Sequence, residues 1–452
     1  MNDWHFSRSQ STSSTSTSVL WPQILARDNA LAAWDKVRRN NGAPGIDGVS
    51  IRDLTPCIEQ EWKAVDAALR RGTWQPQPVR RVSVPKPDGG LRHLGIPTVM
   101  DRVVHQAVAQ VMTPLWERRF SAHSFAYRRG MGAREALTDL VTQAHASSAT
   151  TAWHLDIRQF FDSVPHPQAL RAVKRVADEI EPLRLVQSIL TAGVFADGRV
   201  QPTSTGIPQG SPLSPLLANG VLHNLDLWLT EQALPFVRYA DDIVILLPPG
   251  HTPAHWQQAV AERLKLLGLV LHESKTTHGP LSELNFLGFS FFEDNQGAWR
   301  RKISRASWSA LELELSRRNT AAFALVGEDD GTAADYLTGW LAHFGITECP
   351  QDRGRLTQFA AAHQSSAFAP APVRVRIPYD GAAKAPGSSS TTGNPASRTK
   401  HSQWLQTMHL WIARALARRW VRIGLDWGRG RRGLPLQAVR ITLGPFNFRF
   451  RL

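Results

Sequence analysis

Two adjacent carboxylates between two short apolar runs constrain the fold of this chain more than any other feature. The segment reads FVRYADDIVILL over residues 236–247, with Asp241 and Asp242 between the runs. A connection this short is typical of a β-hairpin, so we predict two buried antiparallel strands with the aspartates at the turn. Asp tolerates the backbone of tight turns, and this pair alone is equally consistent with ordinary turn chemistry.

A third carboxylate favours catalysis. In HLDIRQFFD, Asp156 directly follows an apolar run, where packing does not explain a charged side chain. One sheet could bring Asp156 next to Asp241 and Asp242, although they are far apart in sequence. Clustered carboxylates repel one another unless cations lie between them, and two Mg²⁺ ions roughly 3.5–4 Å apart serve this purpose in nucleotidyl transfer. We therefore expect Mg²⁺, with Mn²⁺ as a possible substitute, at these aspartates.

The charge balance indicates a polyanionic partner. The 452-residue chain has 52 Lys and Arg against 38 Asp and Glu, a formal net charge of +14. Such an excess favours nucleic acid or an anionic membrane surface. No apolar run approaches the ~18–20 residues that span a bilayer. Cys57 and Cys349 form no disulfide framework, so we expect a cytoplasmic protein without membrane contact.

Hydrophobic periodicity gives a coarse secondary structure. Apolar runs bounded by turn residues predict strands, and apolar residues recurring every three or four positions predict helices. The predicted strands are residues 80–84, 153–157, 236–239, 243–247 and 285–292. The predicted helices are residues 30–39, 99–116, 214–229, 304–318, 333–344 and 403–423.

Ordered sequence blocks around these aspartates resemble a known family. Over residues 21–345 the blocks are NNGAPGIDGVS, VPKPDGGLRHLGIP, HSFAYRRGMGAREAL, the Asp156 motif, GIPQGSPLSPLLAN, YADD, LHESKT and NFLGF. In this order they closely resemble reverse transcriptases of the bacterial group II intron lineage. The resemblance implies an α+β right-hand polymerase fold, with fingers, a palm built on an antiparallel sheet and a helical thumb. It also implies an RNA-directed DNA polymerase that extends a primer 3′-hydroxyl with dNTPs.

The resemblance also implies a domain order. We expect a disordered Ser/Thr tail at 1–19, fingers at 20–150 and a palm with the catalytic aspartates at 151–299. Thumb helices at 300–364 and a low-complexity linker or insertion at 365–400 would follow. Residues 401–452 would be a basic thumb or C-terminal segment that binds nucleic acid. Two isolated cysteines cannot build the metal cluster of the zinc endonuclease that often ends such proteins, so we expect none.

The same resemblance assigns roles within the site. Ile157 would complete the metal site beside the aspartates, and Lys275 would protonate the departing pyrophosphate as a general acid. The residues implied to bind the dNTP are Lys86, Arg92, Phe161, Gln209 and Gly210, with Phe161 as an aromatic gate against the ribose 2′-hydroxyl. The residues implied to contact primer or template are Tyr239, Ala240, Phe286, Leu287, Gly288, Arg128 and Arg129. Ala126 departs from the family pattern, which has glycine there.

The C-terminal segment is basic in an unusual way. Residues 401–452 hold ten Arg, no Lys and one acidic residue, Asp426. On the predicted helix, Arg414, Arg418 and Arg422 lie four residues apart, and we expect them to face nucleic-acid phosphates.

Several functional alternatives stay open. The host role is either group II intron mobility or a domesticated role in defence, repair or CRISPR adaptation. A maturase that binds intron RNA without catalysis is a second class of function, and an RNA-dependent RNA polymerase is a third. Expected partners are an RNA template, a DNA or RNA primer, dNTPs and possibly a dedicated structured RNA. The sequence leaves the oligomeric state open.

Overall fold

The computed structural model describes residues 19–85, 91–318, 333–362, 421–426, 438–443 and 446–451. The predicted tail at 1–18, Lys86 and the predicted linker at 365–400 lie outside these ranges. The chain divides into two compact units, Met1–Ser316 with Ile346–Gln358 and Arg317–Gly345 with Phe359–Leu452. No helix in the described part is long and apolar enough to cross a membrane.

Helices make up nearly half of the described residues. They are α1 Leu20–Ile24, α2 Arg27–Asn40, α3 Ile51–Leu54, α4 Ile58–Arg70, α5 Val99–Glu117, α6 Ala133–Ser147, α7 Phe160–Ser163, α8 His166–Lys174, α9 Ile180–Thr191, α10 Ser214–Glu231, α11 Pro253–Leu266, α12 Arg305–Arg318, α13 Ala333–Phe344 and α14 Pro350–Ala362. A side-chain cap begins α5, where the Thr98 hydroxyl accepts the Asp101 N–H at 3.1 Å.

In the described part of the chain, strands form four sheets. They are β1 Val79–Pro85, β2 Leu91–Ile96, β3 Thr151–Leu155, β4 Val194–Ala196, β5 Arg199–Gln201, β6 Phe236–Tyr239, β7 Asp242–Leu247, β8 Thr277–Pro280, β9 Phe289–Glu293, β10 Trp299–Ile303, β11 Val421–Asp426, β12 Ala438–Leu443 and β13 Phe446–Arg451. The sheet orders are β2-β1-β4-β5, β6-β7-β3-β8, β10-β9 and β11-β12-β13.

The β6-β7-β3-β8 sheet is antiparallel throughout and positions the aspartates. Its central strands are apolar, and residues 243–247 of β7 are buried. The same core includes much of α10, whose apolar residues surround the helix instead of forming one stripe. In the register of β3 and β7, Leu155 pairs with Ile243. Asp156 therefore emerges beside the hairpin that carries Asp241 and Asp242.

Two sequence-based predictions of secondary structure are wrong in part. Residues 285–292 are not one strand, because Leu287 and Gly288 adopt positive φ angles of 50° and 85° and form a turn before β9. The helix predicted to end at residue 423 is contradicted at its end, where residues 421–426 form β11. Branched Val421 and Ile423 alternate with Arg422 there, a pattern that suits an extended strand.

Candidate active site

Two aspartates from different strands face one cavity of about 1460 Å³. Asp156 is half-buried at the end of β3, and Asp241 is half-buried in the turn between β6 and β7. The Asp156 N–H donates to Thr276 Oγ1 at 3.3 Å, and its carbonyl accepts the His272 N–H at 2.8 Å. The backbone around Asp156 is therefore fixed from the segment that precedes β8.

The hairpin turn that holds Asp241 contains two residues. Tyr239 pairs with Asp242 across the hairpin, so Ala240 and Asp241 form the loop. Ala240 has φ of 60°, while Asp241 is not among the residues with positive φ, the pattern of a type II′ turn. Glycine is the usual residue at that first loop position. Alanine occupies it here because surrounding contacts hold the turn.

Those contacts come from Arg238, which is fully buried beneath the turn. Its guanidinium donates to both carboxylate oxygens of Asp226 at 2.7 and 2.6 Å and to Asn219 Oδ1 at 2.8 Å. The same side chain donates to the Ala240 carbonyl at 3.1 Å. The bidentate ion pair with Asp226 of α10 holds the Arg238 side chain in place. Arg238 in turn fixes the carbonyl of Ala240, the residue before Asp241.

Asp242 takes a different partner. Its carboxylate forms a hydrogen bond with His154 Nε2, and it is not among the residues that line the cavity. Within the described ranges, no group of three His, Cys, Asp or Glu side chains is close enough to hold a metal ion. The structure thus brings Asp156 and Asp241 together but not Asp242, whose role as a metal ligand stays a prediction.

The predicted sugar gate borders the same cavity. Phe160 and Phe161 both line it, but Phe161 is half-buried whereas Phe160 is only 2% exposed and belongs to the hydrophobic core. The two rings meet edge to face with centroids 5.5 Å apart. Phe160 thereby supports Phe161 from the core side.

Gln209 and Gly210 also line the cavity, in the loop that leads to α10. A Cβ atom at position 210 would lie 2.4 Å from the Gly95 carbonyl oxygen, so glycine is required for close packing against β2. Ser211 Oγ and His105 Nδ1 are 2.9 Å apart. Burial, together with the positive charge of Arg102, lowers the pKa of His105 to about 3, so the ring is neutral at pH 7.

The predicted phosphate-binding residues have separate outcomes. Lys275 is exposed and lines the cavity, as its predicted role requires. Arg92 lies on β2 opposite Val84 of β1, and nothing is described of its side chain. Lys86 lies outside the described residues.

The predicted primer grip is a second two-residue turn. Phe286 and Phe289 exchange two backbone hydrogen bonds of 2.9 Å, with Leu287 and Gly288 between them. The Gly288 carbonyl accepts the Ser304 N–H at 3.0 Å and the Ser307 hydroxyl at 2.9 Å. The His154 ring meets buried Phe286 edge to face at 6.2 Å. His154 therefore contacts both Asp242 and the residue that begins this turn.

The template contact predicted for Arg128 stays a prediction. Its side chain is 6% exposed, and it donates to Glu117 at 3.0 Å and to the Ser121 and Ser124 carbonyls at 2.7 and 2.5 Å. These bonds hold the guanidinium against its own loop and the end of α5. Arg129 is exposed. Ala126 is buried, and its carbonyl accepts the Asn219 amide at 2.8 Å, so the loop joins the network beneath the catalytic turn.

Several cavity residues escaped the sequence-based assignment. Tyr127 is 58% exposed with φ of 62°, and it lines the cavity beside Lys36, His93 and Arg158. Tyr127 lies in the HSFAYRRG block, in which the resemblance assigns roles only to Arg128 and Arg129. Lys36 lies on α2, four residues before the NNGAPGIDGVS block, and only the folded structure brings it to the site.

Of the three C-terminal arginines predicted to contact phosphates, the described residues include only Arg422. Arg414 and Arg418 lie outside the described residues. Arg422 lies on β11 and pairs with Thr442 of β12. The three do not share the helix that was predicted for them, because Arg422 belongs to a strand.

The donor set of the cavity fits hard divalent cations. Asp156 and Asp241 supply carboxylate oxygens, and Ile157 lines the same cavity. Oxygen ligands of this kind suit Mg²⁺ and related ions more than soft metals. Taken with the antiparallel sheet, two strand-borne carboxylates over a large polar cleft define a palm-type polymerase site.

Comparison with known proteins agrees with this class. Residues 84–291 match the family model described as reverse transcriptase (RNA-dependent DNA polymerase), a family that uses divalent metal ions. Protein YkfC of Escherichia coli K12 is 34% identical over 194 residues, which cover 42% of this chain and 51% of that protein. The group II intron-encoded protein LtrA of Lactococcus lactis is 27% identical over 252 residues, covering 55% and 41% of the two chains.

A more distant relative is the retron Ec73 reverse transcriptase of Escherichia coli, 26% identical over 183 residues, or 38% of this chain and 54% of that protein. The chain thus spans about half the length of the curated relatives it matches. Residues 84–291 are therefore similar to reverse transcriptases, and the matched relatives include group II intron-encoded and retron proteins. The α+β right-hand polymerase fold predicted from the sequence is confirmed.

Proposed function

We propose that this protein is an RNA-directed DNA polymerase that extends a primer 3′-hydroxyl with dNTPs on an RNA template. One observation carries the proposal: Asp156 and Asp241, from separate strands of one antiparallel sheet, line a single cavity. Phe161, Gln209 and Lys275 border that cavity and suit contacts with a nucleoside triphosphate. A purely RNA-binding maturase would gain nothing from two repelling carboxylates in an open cleft, so catalysis is the better account.

The proposed cofactor is Mg²⁺, held by Asp156, Asp241 and the Ile157 backbone. When bound, such ions activate the primer hydroxyl and neutralise charge on the triphosphate and pyrophosphate. The chain's own groups act around them. Lys275, exposed at the cavity wall, would donate a proton to the leaving pyrophosphate, and the Gln209–Gly210 backbone would pack against the nascent base pair.

Removal of one carboxylate tests the proposal directly. Asp241→Asn keeps the shape of the side chain but removes its charge, so we expect primer extension to fall by about a thousandfold or more, equivalent to about 4 kcal/mol. Extension of a DNA primer on an RNA template with dNTPs measures it, and RNA binding should persist. Asp178→Asn is the matched control, because Asp178 is exposed and does not line the cavity. Full activity of Asp241→Asn would overturn the assignment.

The proposed sugar gate separates this function from RNA synthesis. Phe161→Ala opens space for a ribose 2′-hydroxyl, so we expect the preference for dNTP over rNTP to fall by roughly 10–200-fold. Single-nucleotide extension with matched dNTP and rNTP measures the ratio. Phe120→Ala is the control, since it removes a core ring that does not line the cavity and should lower stability without changing sugar choice. An unchanged ratio in Phe161→Ala would remove the gate from the proposal.

The biological setting is proposed on the same basis. An RNA template, a DNA or RNA primer and a dedicated structured or intron RNA are the proposed partners, in the cytoplasm, with intron mobility or a domesticated role as the two settings. Arg414, Arg418 and Arg422 are proposed to contact RNA phosphates. Sequencing of the RNA that co-purifies with the protein would distinguish the settings, because a single enriched intron points to mobility.

A further inference from the structure

Two arginines meet at Asn224 in the second half of α10, and a third lies near them. The Arg175 guanidinium donates to Asn224 Oδ1, and Arg263 Nη2 donates to the Asn224 carbonyl at 3.3 Å. Arg119 lies just past the end of α5, near enough for its charge to affect Arg175. We call Arg119, Arg175 and Arg263 the arginine cluster.

The arginine cluster lacks neutralising carboxylates. Within the described part of the chain, none of its guanidiniums forms an ion pair, and Arg263 Nε is enclosed without a hydrogen-bond partner. The acidic residue that follows α8, Asp178, lies 3.6 Å from the Lys174 ammonium instead. Burial lowers the pKa of Arg175, and the positive charges of Arg263 and Arg119 lower it further. Positive charge is thus concentrated here and left uncompensated.

Helix geometry explains how the fold tolerates this concentration. Arg175 is the C-cap of α8, Arg263 lies in the last turn of α11, and Arg119 follows α5. The partial negative charge at each helix C-terminus offsets part of the repulsion. That effect accounts for one arginine at each helix end, but not for two guanidiniums that meet at one neutral asparagine.

We propose that the arginine cluster binds the phosphate backbone of a nucleic acid outside the catalytic cavity. None of its residues lines the cavity of Asp156 and Asp241, so this is a separate surface. Arg175 and Arg119 are exposed, and guanidinium groups bind phosphate oxygens in paired hydrogen bonds. A template or structured RNA longer than the cleft would gain affinity from this surface without altering the chemistry at the cleft.

Salt-dependent binding tests the proposal. The variant Arg175→Gln/Arg263→Gln is compared with Arg38→Gln/Arg70→Gln, which loses equal charge from exposed arginines that are already paired with Asp35 and Asp66. The probe is an RNA hairpin with a stem of about 20 base pairs, longer than the ~16 base pairs that one double-stranded-RNA domain spans. A DNA hairpin of the same sequence forms the second arm. Fluorescence anisotropy over a salt series gives the slope of log affinity against log salt.

We expect the cluster variant to reduce that slope by about 1.4–1.8, because each lost phosphate contact contributes about 0.7–0.9. The paired-arginine control should keep the wild-type slope. A loss in the RNA arm, the DNA arm or both supports the proposal and identifies the nucleic acid. Wild-type slopes for the cluster variant in both arms would overturn it.

Two further measurements separate this inference from other failures. Thermal unfolding of both variants shows whether either change damages the fold. Extension of a primer–template short enough to occupy only the cleft should proceed at the wild-type rate in both variants. Binding is measured without dNTPs, so a protein inactive in extension would disprove the proposed function while leaving the arginine cluster testable.

Discussion

Two turns of equal length carry different parts of the site, and they are held in different ways. Ala240 and Asp241 close the hairpin that presents a catalytic carboxylate, while Leu287 and Gly288 close the turn before β9. In the first turn only Ala240 has positive φ, whereas both residues of the second have it. The second turn thus has the dihedral pattern of a type I′ hairpin and the first that of type II′.

The supports beneath the turns differ in charge and burial. The Ala240 carbonyl accepts a hydrogen bond from Arg238, which is fully buried and paired with Asp226. The Gly288 carbonyl accepts two neutral donors at the start of α12, the Ser304 N–H and the Ser307 hydroxyl. A buried ion pair is costly to break and fixes one geometry, while neutral bonds at a half-buried site contribute modestly. The turn that holds Asp241 therefore depends on Arg238. The turn of Leu287 and Gly288, which we call the grip turn, depends on several weak contacts.

The largest expected effect comes from removal of the buried arginine. Arg238→Gln leaves Asp226 buried without its charged partner, so we expect a loss of about 3–5 kcal/mol in unfolding free energy. Urea unfolding measures this loss. Ser307→Ala under the second turn removes a single neutral bond and should cost only about 0.5–1.5 kcal/mol. Equal losses in the two variants would contradict the comparison.

A double replacement separates stability from positioning. Asp226→Leu/Arg238→Met removes both charges, and such apolar replacements of buried pairs are often neutral for stability. The bond to the Ala240 carbonyl is still lost, so we expect extension to stay reduced about tenfold or more although the fold recovers. Recovery of both stability and kcat would mean that Arg238 serves the fold alone.

The next prediction concerns the grip turn. Gly288 has φ of 85°, and alanine in that region costs about 1–2 kcal/mol. Because this turn is proposed to hold the primer and not the metal, Gly288→Ala should raise KM for primer–template more than it lowers kcat. Steady-state extension separates the two constants. The matched control is Gly297→Ala, a glycine with φ of 73° in the turn between β9 and β10, which should reduce stability without the change in KM. A fall in kcat alone would contradict the primer-grip assignment.

Much of this architecture could be read from local sequence. Apolar runs on each side of YADD predict the β6–β7 hairpin because both strands are buried, and the predicted helix 333–344 matches α13 at both ends. Asp156 was found because a carboxylate directly after an apolar strand has no packing explanation. These features are local, and local patterns are what a single sequence expresses well.

The remainder depends on contacts between distant residues. His154 and Asp242 become diagonal neighbours only when Leu155 pairs with Ile243, and nothing local specifies that register. The ion pair of Arg128 could not be predicted from local sequence, because its partner Glu117 is the last residue of α5, outside the block that contains Arg128. The turn at Leu287 and Gly288 lies inside an apolar run that predicts a continuous strand, although a glycine within a strand pattern signals a bend.

The smallest expected effect tests whether the side chain of Ala240 matters to the catalytic turn. An L-residue at φ of 60° costs roughly 1–2 kcal/mol, which glycine would relieve, but glycine also raises the entropy of the unfolded chain by a comparable amount, about 0.5–1 kcal/mol. We therefore expect Ala240→Gly to change the unfolding free energy by less than about 1 kcal/mol. The Arg238 bond to the residue-240 carbonyl survives this change, so extension should stay within a few-fold of wild type. If extension collapses while stability holds, the alanine methyl, and not the buried arginine, restricts the turn. Ala240→Val supplies the opposite control, because a β-branched residue is strongly disfavoured at positive φ and should lower both stability and rate.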